Sequence, residues 1–303
     1  MIEIGKVKID DSMYCGRDMY SDGKVEDLLL DIVMNYSHKE YDHIIEKEKK
    51  WPVLYHLSSI RENIVEWIPM SKTDTVLEIG SGCGAITGIL SKKAKSVTCI
   101  ELSKKRSMIN AYKNAECDNV EILLGNYRDI EEKMEQKFDV ITLIGVFEYA
   151  KEYMNSKSPY VDFLLSVKKH LRENGRLIIA IENKFGLKYW AGCVEDHKGI
   201  RYEGIEDYLE TKGVRTFTKQ GLENLLKEAG LDKFVFYYPY PDYKLPLSIF
   251  SDEYLPKIGE LNNNYNNFDA DRVDSFDESK VFDTVIREGE FPKFSNSYLI
   301  ITE

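Results

Sequence analysis

With 303 residues, 43% of them hydrophobic and 31% charged, the chain has the make-up of an ordinary folded protein large enough to bury a sizeable core. A formal net charge of −11 disfavours a broad phosphate-backbone interface, so no nucleic-acid partner is expected. No apolar run approaches the roughly 20 residues of a membrane span, and "MIEIGKVKID" lacks the basic region and apolar stretch of a signal peptide, so the expected location is cytoplasmic.

The first 50 residues are polar and rich in tyrosine. Within them Lys24–Tyr36 has apolar residues at helical spacing, and "KEYDHIIEKEKK" is a more charged helix candidate. In "WPVLYHLSSIRENIVEWIP", Leu54, Leu57, Ile60, Ile64, Val65 and Trp67 fall on one helical face, and Pro69 ends the run. Residues 1–70 are therefore expected to form an N-terminal helical lid.

From residue 75 strands and helices alternate. Strands are predicted at Thr75–Ile79, Ser96–Glu101, Val120–Leu124, Phe138–Gly145 and Arg176–Ile181, with helices at Ala85–Lys93, Lys104–Ala115 and Tyr160–Arg172. This order means βαβ units and a parallel sheet. "TKQGLENLLKEAG" reads as a helix with Thr218 as N-cap and Gly230 just past its end, and the strand "KFVFYY" follows. Residues 71–240 form the expected core. Residues 241–295, with "LNNNYNNFDADR" and little periodicity, read as an insertion that borders the acceptor. Residues 296–303 close the sheet as a seventh strand, antiparallel because no crossover helix precedes it. Cys15, Cys83, Cys99, Cys117 and Cys193 show no metal-binding spacing and read as free thiols, and no metal is expected.

"VLEIGSGCGAIT" carries the chemistry. Gly80, Gly82 and Gly84 allow a sharp turn and a close ligand approach between a strand and a helix. With Ala85 the spacing also satisfies a dinucleotide fingerprint, and Glu101, about 20 residues on, suits the ribose of either ligand. Glu78 puts a carboxylate beside the turn, which would repel a pyrophosphate and favour an ammonium and a sulfonium. No Lys-Ser/Thr pair follows the glycines, against a nucleoside triphosphate.

In order, "VLEIGSGCG", "CIELS", "GNYRDI" and "FDVITLIGVFEY" resemble the motif series of class I S-adenosylmethionine-dependent methyltransferases over roughly residues 75 to 240, and "SNSYLIITE" resembles the closing strand of that fold. The resemblance implies a Rossmann-like α/β fold with a mostly parallel seven-stranded sheet and a final antiparallel strand. It implies S-adenosylmethionine as cofactor and S-adenosylhomocysteine as product. Glu78, Gly80, Ser81, Gly82 and Gly84 would line the methionine end, Glu101 and Leu102 the ribose, and Asn126 and Tyr127 the adenine edge. Ile144, Gly145 and Val146 would face the adenosine or the transferred methyl. "WPVLYHLSSIRENI", "AIENKFGLKYWAG", "EDHKG" and "YYPYPDYKLP" resemble a bacterial subgroup associated with surface-polysaccharide enzymes and with tailoring of ribosomal peptides such as lanthipeptides, including C-terminal carboxyl methylation.

The segment after the fifth predicted strand borders the acceptor by position and holds Asn183, Lys184, Lys188, Arg201 and Tyr202 as substrate-binding candidates. His197, with Asp196 as orienter, and His56 are the catalytic candidates, and a solvated loop and a partly buried helix histidine are the plain alternatives. Arg61 either pairs with the cofactor carboxylate or makes a surface ion pair. "IGVFEY" is not the Asn/Asp-Pro-Pro-Tyr/Phe motif of many enzymes that methylate nitrogen. A carboxylate is already ionised at neutral pH and needs only cationic anchors, whereas a sugar hydroxyl wants a base. The expectation is O-methylation of a peptide carboxylate, with a sugar hydroxyl as the alternative. A nicotinamide-dependent oxidoreductase and a silent adenosine-binding module are the readings from other classes.

Overall fold

Strong β-formers at the start of each βαβ unit and helix formers between them build a Rossmann-like fold with a mixed sheet. The computed structural model describes residues 1–18, 20–21, 23–264 and 272–303. They fall into two units, Met1–Leu143 with Ser166–Leu177, and Ile144–Leu165 with Ile178–Glu303.

The first unit opens with β1 (Ile2–Ile4) and β2 (Val7–Met13), then α1 (Val25–Asn35), α2 (Tyr41–Glu48), α3 (Trp51–Leu57) and α4 (Asn63–Glu66). Then come β3 (Thr75–Ile79), α5 (Thr87–Lys93), β4 (Ser96–Glu101), α6 (Lys104–Lys113), β5 (Val120–Gly125), α7 (Tyr127–Glu131) and β6 (Phe138–Ile144). The strand order is β1-β2-β5-β4-β3-β6. β3 pairs in parallel with β4, Thr75 opposite Ser96, and with β6, Val76 opposite Val140. All five residues of β3 are buried, as a central strand covered on both faces requires.

The hairpin of β1 and β2 is an element the sequence reading did not find. Val7 and Ile9 are buried and alternate with the exposed Lys8, and β2 adds in parallel to β5. Residues 51–69 are not one helix either. The backbone at Ser58 is extended and its Oγ accepts the Ile60 N–H at 3.3 Å, so α3 stops there and a short 3₁₀ turn leads into α4. Trp67 does not join the apolar face, being 40% exposed. Leu29, Ile32, Val33, Tyr41, Ile44, Val53 and Leu57 form one cluster with Ile109 of α6 and with Cys83, which seats the N-terminal helices on the glycine turn.

The second unit holds α8 (Ala150–Tyr153), the beginning of α9 (Pro159–Lys169), the end of β7 (Leu171–Glu182), α10 (Leu187–Trp190), α11 (Lys219–Glu228), β8 (Phe234–Tyr240), β9 (Ser248–Ser251), α12 (Glu278–Arg287), α13 (Phe291–Phe294) and β10 (Ser297–Thr302). Its strand order is β7-β10-β8-β9. β10 runs antiparallel to β7, Ser297 opposite Glu182, and to β8, Leu299 opposite Tyr237. Thr218 caps α11, its Oγ1 accepting the Gly221 N–H at 3.1 Å.

The seven expected strands are present, and β1, β2 and β9 add to them. The stretch read as aperiodic contains β9, α12 and α13, while residues 265–271 of the expected insertion lie outside the described residues. Among the described residues no helix is long and apolar enough to cross a membrane, and all five cysteines are free, with Cys83, Cys99 and Cys193 buried.

Candidate active site

The glycine turn lies between β3 and α5. Gly80, Gly82 and Gly84 all have positive φ, at 70°, 54° and 74°. A Cβ on Gly84 would stand 2.3 Å from Asn110 Oδ1, so only glycine fits there, whereas one on Gly82 would meet no atom within 4 Å. The two positions divide the labour, one for close packing on α6 and one for an open backbone face. Glu101, at the end of β4, fixes the turn. Its Oε2 accepts the Gly82 N–H at 2.7 Å and its Oε1 the Ser103 N–H at 2.9 Å. Burial raises its pKa, against the nearby Arg106 and these backbone donors.

Glu78 differs from its expected role. Its buried carboxyl turns inward, accepting from Thr87 Oγ1 at 2.7 Å and from the Cys99 thiol at 3.4 Å. Burial pushes its pKa up to about 7. Thr87 in turn accepts from Asn110 Nδ2 at 3.1 Å, and Asn110 Oδ1 accepts from Asn114 Nδ2 at 2.8 Å. This buried polar chain escaped the sequence reading. Its signal was a pair of asparagines four residues apart, Asn110 in α6 and Asn114 at its C-cap.

Among the other cofactor candidates in this unit, Ser81 is buried and Leu102 half-buried beside Glu101. Asn126 is the N-cap of α7, with its Oδ1 on the Arg128 N–H at 3.0 Å, and the buried Tyr127 hydroxyl bonds Ser166 Oγ at 3.0 Å. Asn126 and Tyr127 thus have structural partners already. His56 is buried in α3, its ring edge-on to Tyr55 and its carbonyl accepting from Lys113 Nζ at 2.8 Å. Arg61 is buried rather than on the surface, with its guanidinium 4.3 Å over the Tyr55 ring.

In the second unit Gly145 ends β6 with φ 70°, its N–H donating to Ala180 O at 2.9 Å. A Cβ there would lie 2.8 Å from the Tyr243 hydroxyl. His197 is not in a solvated loop but buried among carboxylates. Its orienter is Glu195, which accepts from Nδ1 at 2.9 Å, and not the neighbouring Asp196. Its Nε2 faces Glu148 Oε1 at 3.4 Å and Glu182 Oε2 at 3.8 Å. Burial opposes its charge, but Glu182, Glu148 and Glu195 together hold its pKa well above the ordinary value. An imidazolium so held is a donor, not a general base. Burial raises the carboxyl pKa of Glu148, whereas for Glu182 the cations Lys244 and His197 outweigh burial and lower it.

Asp196 is occupied elsewhere. It pairs with Lys188 at 2.9 Å and Lys244 at 2.6 Å, and these two cations hold its carboxyl well below the usual range against burial. Of the expected acceptor ligands, Lys188 is fully buried in this network, and Asn183 donates to the carbonyls of Lys293 and Ser295 and accepts from the Phe185 N–H. Lys184 is ion-paired to Asp207. Arg201 and Tyr202 are the two of this set that are exposed. Glu148, Glu182 and Glu195 went unnoticed in the sequence because nothing in their spacing brings them to one point.

Residues 77–177 match the family model described as a methyltransferase domain. With the glycine turn and Glu101 in this geometry, the match places a methyltransferase domain on this Rossmann-like core. The nicotinamide-dependent reading falls with this match. A stretch of 106 residues is 32% identical to the ribosomal RNA small subunit methyltransferase A of Borrelia garinii subsp. bavariensis, covering 33% of this chain and 38% of that protein. Another of 70 residues is 40% identical to an rRNA adenine N-6-methyltransferase of Bacillus licheniformis, covering 23% of this chain and 24% of that protein. The chain thus spans well under half the length of these curated relatives. A solved S-adenosylmethionine-dependent methyltransferase from Archaeoglobus fulgidus covers 86% of this chain and 98% of its own at 14% identity, with a TM-score of 0.49.

Two expectations are overturned here. O-methylation of a peptide carboxylate or a sugar hydroxyl is overturned by the curated relatives named above, which specify ribosomal RNA and, where they give an atom, a nitrogen of adenine. The expected absence of a nucleic-acid partner falls with it. A net charge is a sum over the whole surface and does not describe the part that meets an acceptor.

Proposed function

We propose that this enzyme transfers a methyl group from S-adenosylmethionine to an exocyclic amino nitrogen of a base in RNA. The observation that carries the reading is the kinship of its core stretch with relatives named as rRNA methyltransferases, one of them specific for adenine N-6. The chemistry of the second unit supports it. A neutral amine attacks the sulfonium methyl with its own lone pair and loses its proton from the ammonium that results, so no strong base has to act first. That suits a unit in which His197 is enclosed by three carboxylates rather than left free to act as a base. The same carboxylates would repel an anionic acceptor. The work left to the protein is alignment.

The test is transfer of labelled methyl from S-adenosylmethionine to unmodified ribosomal RNA made by transcription, with digestion to nucleosides and chromatography. Label in an N-methylated nucleoside is the expected result. Label that resists ribonuclease, or that leaves with mild base as an ester would, overturns the reading.

A further inference from the structure

We infer that Glu148, Glu182 and His197 form a binding site for one divalent transition-metal ion. The three residues come from separate segments, the turn after β6, the end of β7 and the loop after α10, and offer donor atoms that all lie within 4.8 Å of one another. Two of the gaps, 3.4 Å and 3.8 Å, run from His197 Nε2 to the two carboxylates. Donors about 2.1 Å from a shared ion stand roughly 3.0–3.4 Å apart, so these gaps are near the size such an ion sets.

Three further observations point to a ligand. Glu148 Oε2 and Glu182 Oε2 are buried and lack a hydrogen-bond partner, and Glu182 turns that oxygen toward His197. Buried carboxylate oxygens are costly to leave unmatched. His197 is also mounted as a metal ligand commonly is. Glu195 holds Nδ1, and the Glu195 carboxylate is itself fixed by the backbone N–H groups of His197 and Lys198, at 2.9 Å and 2.7 Å. This carboxylate–histidine arrangement sets the ring orientation and leaves Nε2 to coordinate. Charge gives the third observation. The ion-paired network joins the carboxylates of Glu148, Glu182, Glu195, Asp196 and Asp242 to His197, Lys188 and Lys244. With His197 as a neutral ligand, three further negative charges remain than the two lysines match, enough to favour a dication.

One imidazole with two carboxylates suits an ion that takes oxygen and nitrogen donors, such as Mn²⁺, over one that needs thiolates. The site lies in the second unit, and its ion would tie the turn beside Gly145 to the end of β7. The inference does not depend on which acceptor the enzyme uses.

The full-length protein, stripped with a chelator, is titrated with MnCl₂ while free Mn²⁺ is followed by electron paramagnetic resonance. One ion bound per chain is expected. Glu148→Gln and His197→Gln should each weaken binding by more than about tenfold, and Glu195→Gln by about 10–100-fold through the second layer. Absence of saturable binding, or affinity unchanged in folded variants, overturns the site. Should the variants not fold, the wild-type protein decides with CoCl₂. Visible bands of imidazole and carboxylate coordination are expected, and a spectrum like that of aqueous Co²⁺ refutes the proposal.

Discussion

Glu78 shows how one carboxyl can change its meaning between sequence and structure. Beside a glycine turn it reads as a negative charge for the cofactor, yet in the fold it is sealed behind Thr87 and Cys99. Burial dominates its ionisation, with Thr87 and Cys99 as hydrogen-bond donors, Glu101 as a repelling neighbour and Lys113 as an attracting one. Its folded pKa, about 7, lies above the ordinary 4.5. The unfolded chain therefore releases this proton first as pH rises. The stability that the protonated form contributes is full below about pH 4.5 and is lost as pH climbs to 7 and beyond. Glu78→Gln should match the wild type near pH 4.5 and exceed it by up to about 3 kcal/mol above pH 8. Thermal melts of both proteins across that range read the difference directly. A gap that stays constant with pH would mean that Glu78 ionises as an ordinary carboxylate.

At the scale of elements, the parts legible in the sequence were those with strong local signals. β3 and β4 match their predicted limits because each is an uninterrupted β-rich run between clear turn or helix signals. The cap at Thr218 was readable for the same reason, since capping is a local hydrogen bond. The hairpin of β1 and β2 was not, because its partner β5 lies more than a hundred residues away in the chain. The same holds for the meeting of Glu148, Glu182, Glu195 and His197, which only the topology brings about. α12 is a different kind of miss. Val281, Phe282, Val285 and Ile286 do recur at helical spacing, but the asparagine-rich run before them drew the whole stretch into a loop. Phe282 is 1% exposed and packs its ring near Tyr240 and Phe291, at centroid distances of 6.3 Å and 6.1 Å. Phe282→Ala should therefore cost about 3–5 kcal/mol, read as a lower urea midpoint with an unchanged slope. A loss below about 0.5 kcal/mol, typical of a surface site, would place α12 outside the core.

For the whole molecule the question is how a chain of net charge −11 would take the proposed RNA acceptor. Of its most basic run, Lys104, Lys105 and Arg106 at the start of α6, two side chains are ion-paired within the first unit. Asp18 accepts from the Lys104 and Lys105 backbone N–H groups, Asp27 pairs with Lys105 at 2.6 Å, and Glu26 pairs with Arg106 at 2.8 Å. With these pairs and an acidic total, the proposed reading expects few phosphate contacts. Recognition then rests on the base and on the shape of an unpaired segment more than on the backbone. Each phosphate neutralised on a single strand adds about −0.7 to the slope of log affinity against log salt. With two or three contacts the slope should be about −2 or shallower between 50 and 200 mM salt. Fluorescence anisotropy of a labelled RNA hairpin measures it. A slope steeper than about −6 would need some eight or nine phosphate contacts, and would show that the acidic total hides a concentrated basic face after all. A shallow slope with measurable affinity would instead mean that an acidic methyltransferase finds its base without a broad grip on the phosphate chain.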